Sequence, residues 1–260
     1  MKRVLDHGSV TLIETWGSDE RIIEAARMST GKGFNGWGDQ GPPCFKVPEK
    51  ITACEKGVVG CPLEHKPGDE KLLAYLYEHK HMTPFEMAGM VIEVKAPIFV
   101  FREWHRHRTQ SYNEMSARYI PLPDENYVPT VWRLMMQGGA NKQAQATKPG
   151  EIVPRYIAEQ FRIKLRMGYA QAQGDYDDAL GAGVPKELAR LILPVGRYSR
   201  MRASANLRNW LQFLTLRMDS AAQYEIRLYA NAVGDLIEQH FPHTWGLFNK
   251  GIERIGGRLA

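Results

Sequence analysis

Residues 90–95 alternate Met90, Ile92 and Val94 against Val91, Glu93 and Lys95, so one face of the segment is apolar and the other mixed. Side chains of an extended chain point to alternate sides, which makes this a strand with one buried face. Such a strand needs neighbours for its main-chain groups and a layer to cover its apolar side. Residues 10–15 read as a second short strand, and 197–204 alternate too, although both faces of that segment carry polar side chains. Helical spacing accounts for most of the remainder. Residues 19–28 predict a helix capped by Ser18 with Ile22, Ile23 and Ala26 on one face, and 70–81 a second through Leu72, Leu73, Leu76 and Tyr77. Pro97 suits the first turn of a helix through Phe101 and Trp104. A long helix over 151–180 carries Ile157, Phe161 and Leu165 at spacing four. Gly183 and Pro185 separate it from a helix with Leu188, Leu191 and Ile192. Two last helices cover 206–218 and 221–240, the latter with Ile226, Ala230, Val233 and Ile237 as its core stripe. Helices outnumber strands without alternating with them, so the expected class is α+β, with helices packed around a small, mostly antiparallel sheet.

The 260 residues suffice for one sizeable core, and 1–260 reads as a single domain interrupted twice. Residues 31–68 hold 8 Gly and 5 Pro, a loop composition that marks an insertion, and 137–154 form a polar linker. No apolar run approaches the roughly 18 residues of a membrane helix. Asp6, His7 and Gly8 stand where a secretory leader needs its apolar stretch, so a cytoplasmic protein without membrane contact is expected. Cys44, Cys54 and Cys61 all fall in the 31–68 stretch. Their spacing to one another and to His65 lacks the C-x-x-C pairs of structural zinc sites, so no metal site is expected.

Chemistry concentrates in three segments. In RHRTQSYNEMSARY, residues 106–119, Arg106, His107 and Arg108 precede Asn113, Glu114, Ser116 and Arg118 with few apolar residues to bury, so the segment reads as a loop kept for chemistry rather than packing. Guanidinium forks at a helix end suit phosphate or a planar heterocycle, and Glu114 and Asn113 can accept from ribose or imide groups. Residues 197–217 contain Arg197, Arg200, Arg202, Arg208 and Arg217 with no acidic residue in the segment. Crowded cations call for an anion, either a polyanionic ligand or acids brought in by folding or a partner subunit. Within it Arg208 and Gln212 share one helix face and Asn206 and Asn209 another. The third segment places His81 and Thr83 just before Pro84, where Thr83 could be a cap; His79 and His81 at spacing two make a poor zinc pair on a helix. Arg and His interleaved with Trp104 and Tyr112 also fit a single-stranded nucleic-acid binder without catalysis, so the residues leave two classes open.

Arg106, His107 and Arg108, followed after seven residues by Ser116, resemble the signature of the flavin-dependent thymidylate synthases. Further blocks agree in order: HMTPFE at 81–86, KAPIFV at 95–100, SYNEMSARY at 111–119, LARLILP at 188–194 and ANLRNWLQFLTLR at 205–217 followed by DSAAQYEI. The resemblance implies a homotetramer with FAD between subunits, methylating dUMP to dTMP with methylenetetrahydrofolate as carbon donor and NADPH as reductant, and with no stable nucleic-acid partner. It puts Thr83, Arg106, His107, Arg108, Glu114, Asn206, Arg208 and Gln212 at FAD-contacting positions and His81 near the stacked folate and flavin rings. Glu103, Trp104, His105, Arg106, Glu114, Met115, Ser116, Ala117, Arg118, Arg190 and Arg217 fall at dUMP-contacting ones. Glu103 stands where members often have Gln, and Gln212 where they often have Asn.

Uracil C5 is a weak nucleophile until electron density is pushed into the ring, and a Cys thiolate at C6 is the usual device. Here the thiols lie outside every matching block, and Ser116 has no base identifiable in the sequence, so Ser116 is assigned to nucleotide binding. Arg217 is the expected activator, acting on the uracil imide through position and charge.

Overall fold

The computed structural model describes residues 1–38, 68–136 and 152–254. The expected insertion and linker, with Cys44, Cys54, Cys61 and His65, lie largely or wholly outside them. Five strands are described: β1 (Lys2–Val4), β2 (Gly8–Trp16), β3 (Gly89–Pro97), β4 (Ser111–Glu114) and β5 (Tyr198–Asn206). The helices are α1 (Asp19–Arg27), α2 (Glu70–Glu78), α3 (Ile98–Trp104), α4 (Val131–Met135), α5 (Arg155–Gly181), α6 (Lys186–Ala189), α7 (Leu207–Arg217), α8 (Tyr224–His240) and α9 (Pro242–Arg254). Ser18 caps α1 by accepting from the Arg21 main-chain N–H, as its position before the first apolar residue predicts.

All strands pair antiparallel in the order β1-β2-β3-β5-β4, so the α+β expectation holds. The strand 90–95 is the centre of this sheet, and its partner residues explain the odd pattern of 197–204. Met90, Ile92, Val94 and Ala96 line up with Ala205, Ala203, Met201 and Ser199, and every one of these residues is buried. Arg200 and Arg202 point the other way, opposite Lys95 and Glu93, on a face that stays open. Helices α7 and α8 cover the inner face with Trp210, Phe213, Leu214, Ile226, Tyr229 and Val233, all fully buried. Ile226, Ala230, Val233 and Ile237 form the stripe their spacing predicts. At the start of β3, Gly89 leaves no room for a side chain, because a Cβ would meet the Trp16 ring and the Ala205 carbonyl.

Three expectations need correction. The segment 106–119 is not all loop: Ser111–Glu114 is an edge strand, four residues with no apolar alternation to announce it. The spacing-four stripe of α5 is not core. Ile157 and Phe161 are exposed and Leu165 half-buried, while Ala158 and Tyr176 are the helix's buried residues. Helix α5 packs on α4, α6 and the turn at Arg190–Ile192 rather than on the sheet. Leu188, Leu191 and Ile192 are likewise exposed, on the short α6 and that 3-10 turn.

Candidate active site

Helix α3 begins where Pro97 holds φ at −61° and ends at Trp104, whose indole is fully buried and stacks on Phe213 with ring centroids 4.5 Å apart. The turn that follows carries Arg106, His107 and Arg108 and is fastened from beneath. Trp104 Nε1 donates to Gln110 Oε1 at 3.1 Å, and the Tyr112 hydroxyl donates to the His107 carbonyl at 2.7 Å and the Trp104 carbonyl at 3.2 Å. Gln110 and Tyr112, inside the motif but not among the expected site residues, thus set the turn's shape. Only amphipathic side chains with a buried body and a polar tip could signal that role in sequence. Arg106 and Arg108 are exposed and form no ion pair among the described residues, and with His105 they line a cleft of about 220 Å³.

At the C-terminal end of α7, Arg217 turns its side chain inward, 16% exposed. Its Nε donates to His107 Nε2 at 2.8 Å, Nη1 to Glu103 Oε2 at 2.7 Å and Nη2 to the Glu103 carbonyl at 2.9 Å. His107 can accept from Arg217 only when its Nε2 carries no proton. Burial, with the Arg217 charge adding to it, lowers the imidazole pKa to about 4 and keeps the ring neutral.

The start of α7 meets the same region. Asn206 caps the helix through Oδ1, accepting from the Asn209 N–H at 3.0 Å, and Asn209 Nδ2 donates to the Thr109 carbonyl at 3.0 Å. The residue after the RHR turn and the first turn of α7 thus meet within one protomer. Register explains why: Ser111 and Gly89 lie at the end of the sheet where Ser204 and Asn206 lead into α7. Arg208 pairs with Glu86, which brings the turn containing Thr83 alongside; Gln212 is exposed on the same helix. Thr83 makes no capping bond with its side chain. Before it, α2 ends with His81 N–H bonded to the Leu76 carbonyl and Lys80 N–H to the Tyr77 carbonyl, with Lys80 at φ +60°. This paired closure normally uses glycine in the left-handed position. It delivers His81 beside Tyr75 and His79, ring centroids 5.7 and 6.3 Å away, as an exposed aromatic group.

The remaining expected residues form a second group past the far end of β4. Glu114 and Met115 border an open cleft of about 360 Å³ with Arg200 and Arg202. Ser116 Oγ accepts from the Arg118 N–H at 3.3 Å and has no hydrogen bond to a base among the described residues. Arg118 Nε lies 3.5 Å from Glu187 Oε2, and Arg190 Nε donates to the Glu187 carbonyl at 3.2 Å. The methyl of Ala117 is buried, as is the Trp104 ring, so either would reach a ligand through its main chain. Among the described residues no hydrogen bond or ion pair links Met115, Ser116, Arg118 or Arg190 to Glu103, His107 or Arg217.

Four of the five arginines of 197–217 find anions. Arg197 pairs with Asp124, Arg202 with Glu93, Arg208 with Glu86 and Arg217 with Glu103. Folding supplies acids for these four, so most of the segment's charge needs no polyanion; Arg200 forms no ion pair among the described residues and borders the open cleft beside Glu114 and Met115.

The RHR turn, the inward Arg217 and the amide-bearing start of α7 thus gather at one end of a five-stranded antiparallel sheet. Residues 11–243 match the family model described as thymidylate synthase complementing protein. The chain is 36% identical to the flavin-dependent thymidylate synthase of Rickettsia typhi over 95% of this chain and 78% of that protein. To the enzyme of the same name from Thermus thermophilus it is 36% identical over 95% and 77%. Among solved structures it resembles a UMP/dUMP methylase, PolB from Streptomyces cacaoi bound with 5-Br dUMP, at TM-score 0.72 and 28% identity over 96% of this chain and 97% of that one. The chain belongs to the family of flavin-dependent thymidylate synthases.

Proposed function

We propose that the protein methylates dUMP at uracil C5 to give dTMP, with FAD, NADPH and methylenetetrahydrofolate, in active sites shared between subunits of a homotetramer. The observation that carries the reading is the Arg217 guanidinium, oriented by Glu103 and neutral His107 next to Arg106 and Arg108, which form no ion pair among the described residues. The names of its relatives and the nucleotide bound by its structural neighbour support the same substrate.

The residues fit the cofactors. Arg106 and Arg108 offer free donors for the pyrophosphate of FAD, with Asn206, Arg208 and Gln212 alongside for polar edges. Exposed His81, with Tyr75 and His79 at hand, fits a stacked planar ring. When bound, these groups supply the one-carbon unit and the two electrons that make it a methyl. The chain itself positions and polarises. Arg217 stabilises negative charge as it builds on the uracil imide, from a helix whose Trp210, Phe213 and Leu214 are fully buried, so little reorganisation is needed. Ser116, without a base beside it, binds the nucleotide rather than attacking it. Arg118 and Arg190 suit its phosphate.

Two observations support the shared site. The Ser116–Arg118–Arg190 group and the Arg217 group share no polar contact among the described residues of one protomer. Exposed Tyr156, Phe161, Ile163, Met167 and Leu191 give α5 and its neighbouring turn an apolar surface of the kind a subunit contact covers.

The purified protein should be yellow, release FAD on denaturation and form dTMP from dUMP when given NADPH and methylenetetrahydrofolate. Colourless protein that binds single-stranded nucleic acid with a steep salt dependence would replace this reading by the basic binding module.

A further inference from the structure

We propose that Glu103 is the positioning residue for Arg217, fixing the guanidinium so that two of its N–H groups face outward. The inference rests on the reading of Arg217 given above. A guanidinium carries five N–H donors in one rigid plane. Three are taken: Nε by His107, one on Nη1 by the Glu103 carboxylate and one on Nη2 by the Glu103 carbonyl. The two left over sit one on each Nη, a planar pair of donors of the sort an imide oxygen and its neighbourhood can use.

Two of the three acceptors come from one residue, through side chain and main chain together. That main-chain oxygen is itself fixed, since it also accepts from the Arg106 N–H at the end of α3. A single contact would let the plane swivel about its bond. Two contacts from Glu103 and a third from His107 leave no free rotation. The Glu103 side chain is 43% exposed against 16% for Arg217, so the carboxylate is the more solvent-facing of the pair. A carboxylate there holds Arg217 well and repels an anionic nucleotide. Glu103 therefore raises turnover by orientation and weakens nucleotide binding by charge, and these two effects separate in the kinetics.

The test is steady-state dTMP formation by the flavin-loaded protein, comparing wild type, Glu103→Ala and Glu103→Gln at saturating cofactors. Glu103→Ala should lower kcat by about ten- to a hundredfold, the range expected for losing a hydrogen bond to a charged group, with FAD content unchanged. Glu103→Gln keeps an acceptor and drops the charge. It should recover most of that kcat and show a dUMP KM below that of wild type. Wild-type kcat in Glu103→Ala, or a Glu103→Gln no better than Glu103→Ala, overturns the proposal. If wild type forms no dTMP, the assigned reaction fails separately, and crystal structures of the two variants judge the positioning. Arg217 displaced in Glu103→Ala and retained in Glu103→Gln upholds it; Arg217 unmoved in Glu103→Ala sinks it.

Discussion

Arg217 donates from Nε to Nε2 of His107 at 2.8 Å, so the imidazole in the middle of the RHR motif works as an acceptor rather than a cation. Burial, and then the Arg217 charge, depress its pKa to about 4 from an ordinary 6.5. Above pH 6.5 folded and unfolded chains both hold the ring neutral, and its contribution to stability is complete. Between pH 6.5 and about 4 the unfolded chain takes up a proton that the folded one refuses, so stability falls with pH. The loss from this one group between pH 7 and pH 5 is about 1–2 kcal/mol, after allowance for partial solvent screening. Denaturant midpoints at the two pH values should differ more for wild type than for His107→Asn, which cannot titrate. An equal difference in both would remove the neutral acceptor.

Ser116 is held by a hydrogen bond from the Arg118 N–H and bonds to no base among the described residues. Ser116→Ala should weaken dUMP binding by about 0.5–1.5 kcal/mol, the usual worth of a hydroxyl hydrogen bond, and leave turnover measurable. Binding calorimetry together with dTMP assays checks this. Abolished turnover with dUMP affinity intact would make Ser116 the nucleophile.

Phe161 and Met167, 48% and 67% exposed, lie on a helix that packs mainly on α4, α6 and the Arg190–Ile192 turn. A charge in the middle of a subunit contact would have to be buried unpaired, which costs several kcal/mol. Phe161→Glu should therefore shift the protein towards smaller species by light scattering, and flavin retention should fall with the assembly. A tetramer of unchanged mass, or a smaller species with its flavin fully retained, would separate α5 from the shared site.

Local chemistry made much of this readable from sequence. Ser18 before α1, Pro97 before α3 and the apolar stripe of α8 each state their structure within a few residues. Strand β5 is legible only in part, because Arg200 and Arg202 look out from an open sheet face while Met201 and Ala203 look in. Strand β4 is short and polar, held by register with β5, so nothing local marks it. The α5 stripe was legible as apolar and helical, but spacing does not say whether the covering surface comes from the same chain. At the site, the motifs gave the residue types and left the pairings hidden. Glu86, Glu93, Glu103 and Asp124 reach their arginines across more than seventy residues of sequence. Asn209 meeting Thr109 is equally non-local, and it joins two clusters that sequence alone kept apart.

A rigidly held Arg217 guanidinium is, on this account, what activates uracil for methylation. The bland alternative is a cation at the end of α7 complementing the helix dipole, worth about 0.3–1 kcal/mol. Arg217→Lys keeps that charge and loses the planar fork. With prereduced flavin and saturating dUMP, single-turnover dTMP formation should slow by about a hundredfold or more in this variant, while FAD content stays at the wild-type level. Near-normal dTMP formation in Arg217→Lys would contradict the account and return Arg217 to the role of a helix-end cation.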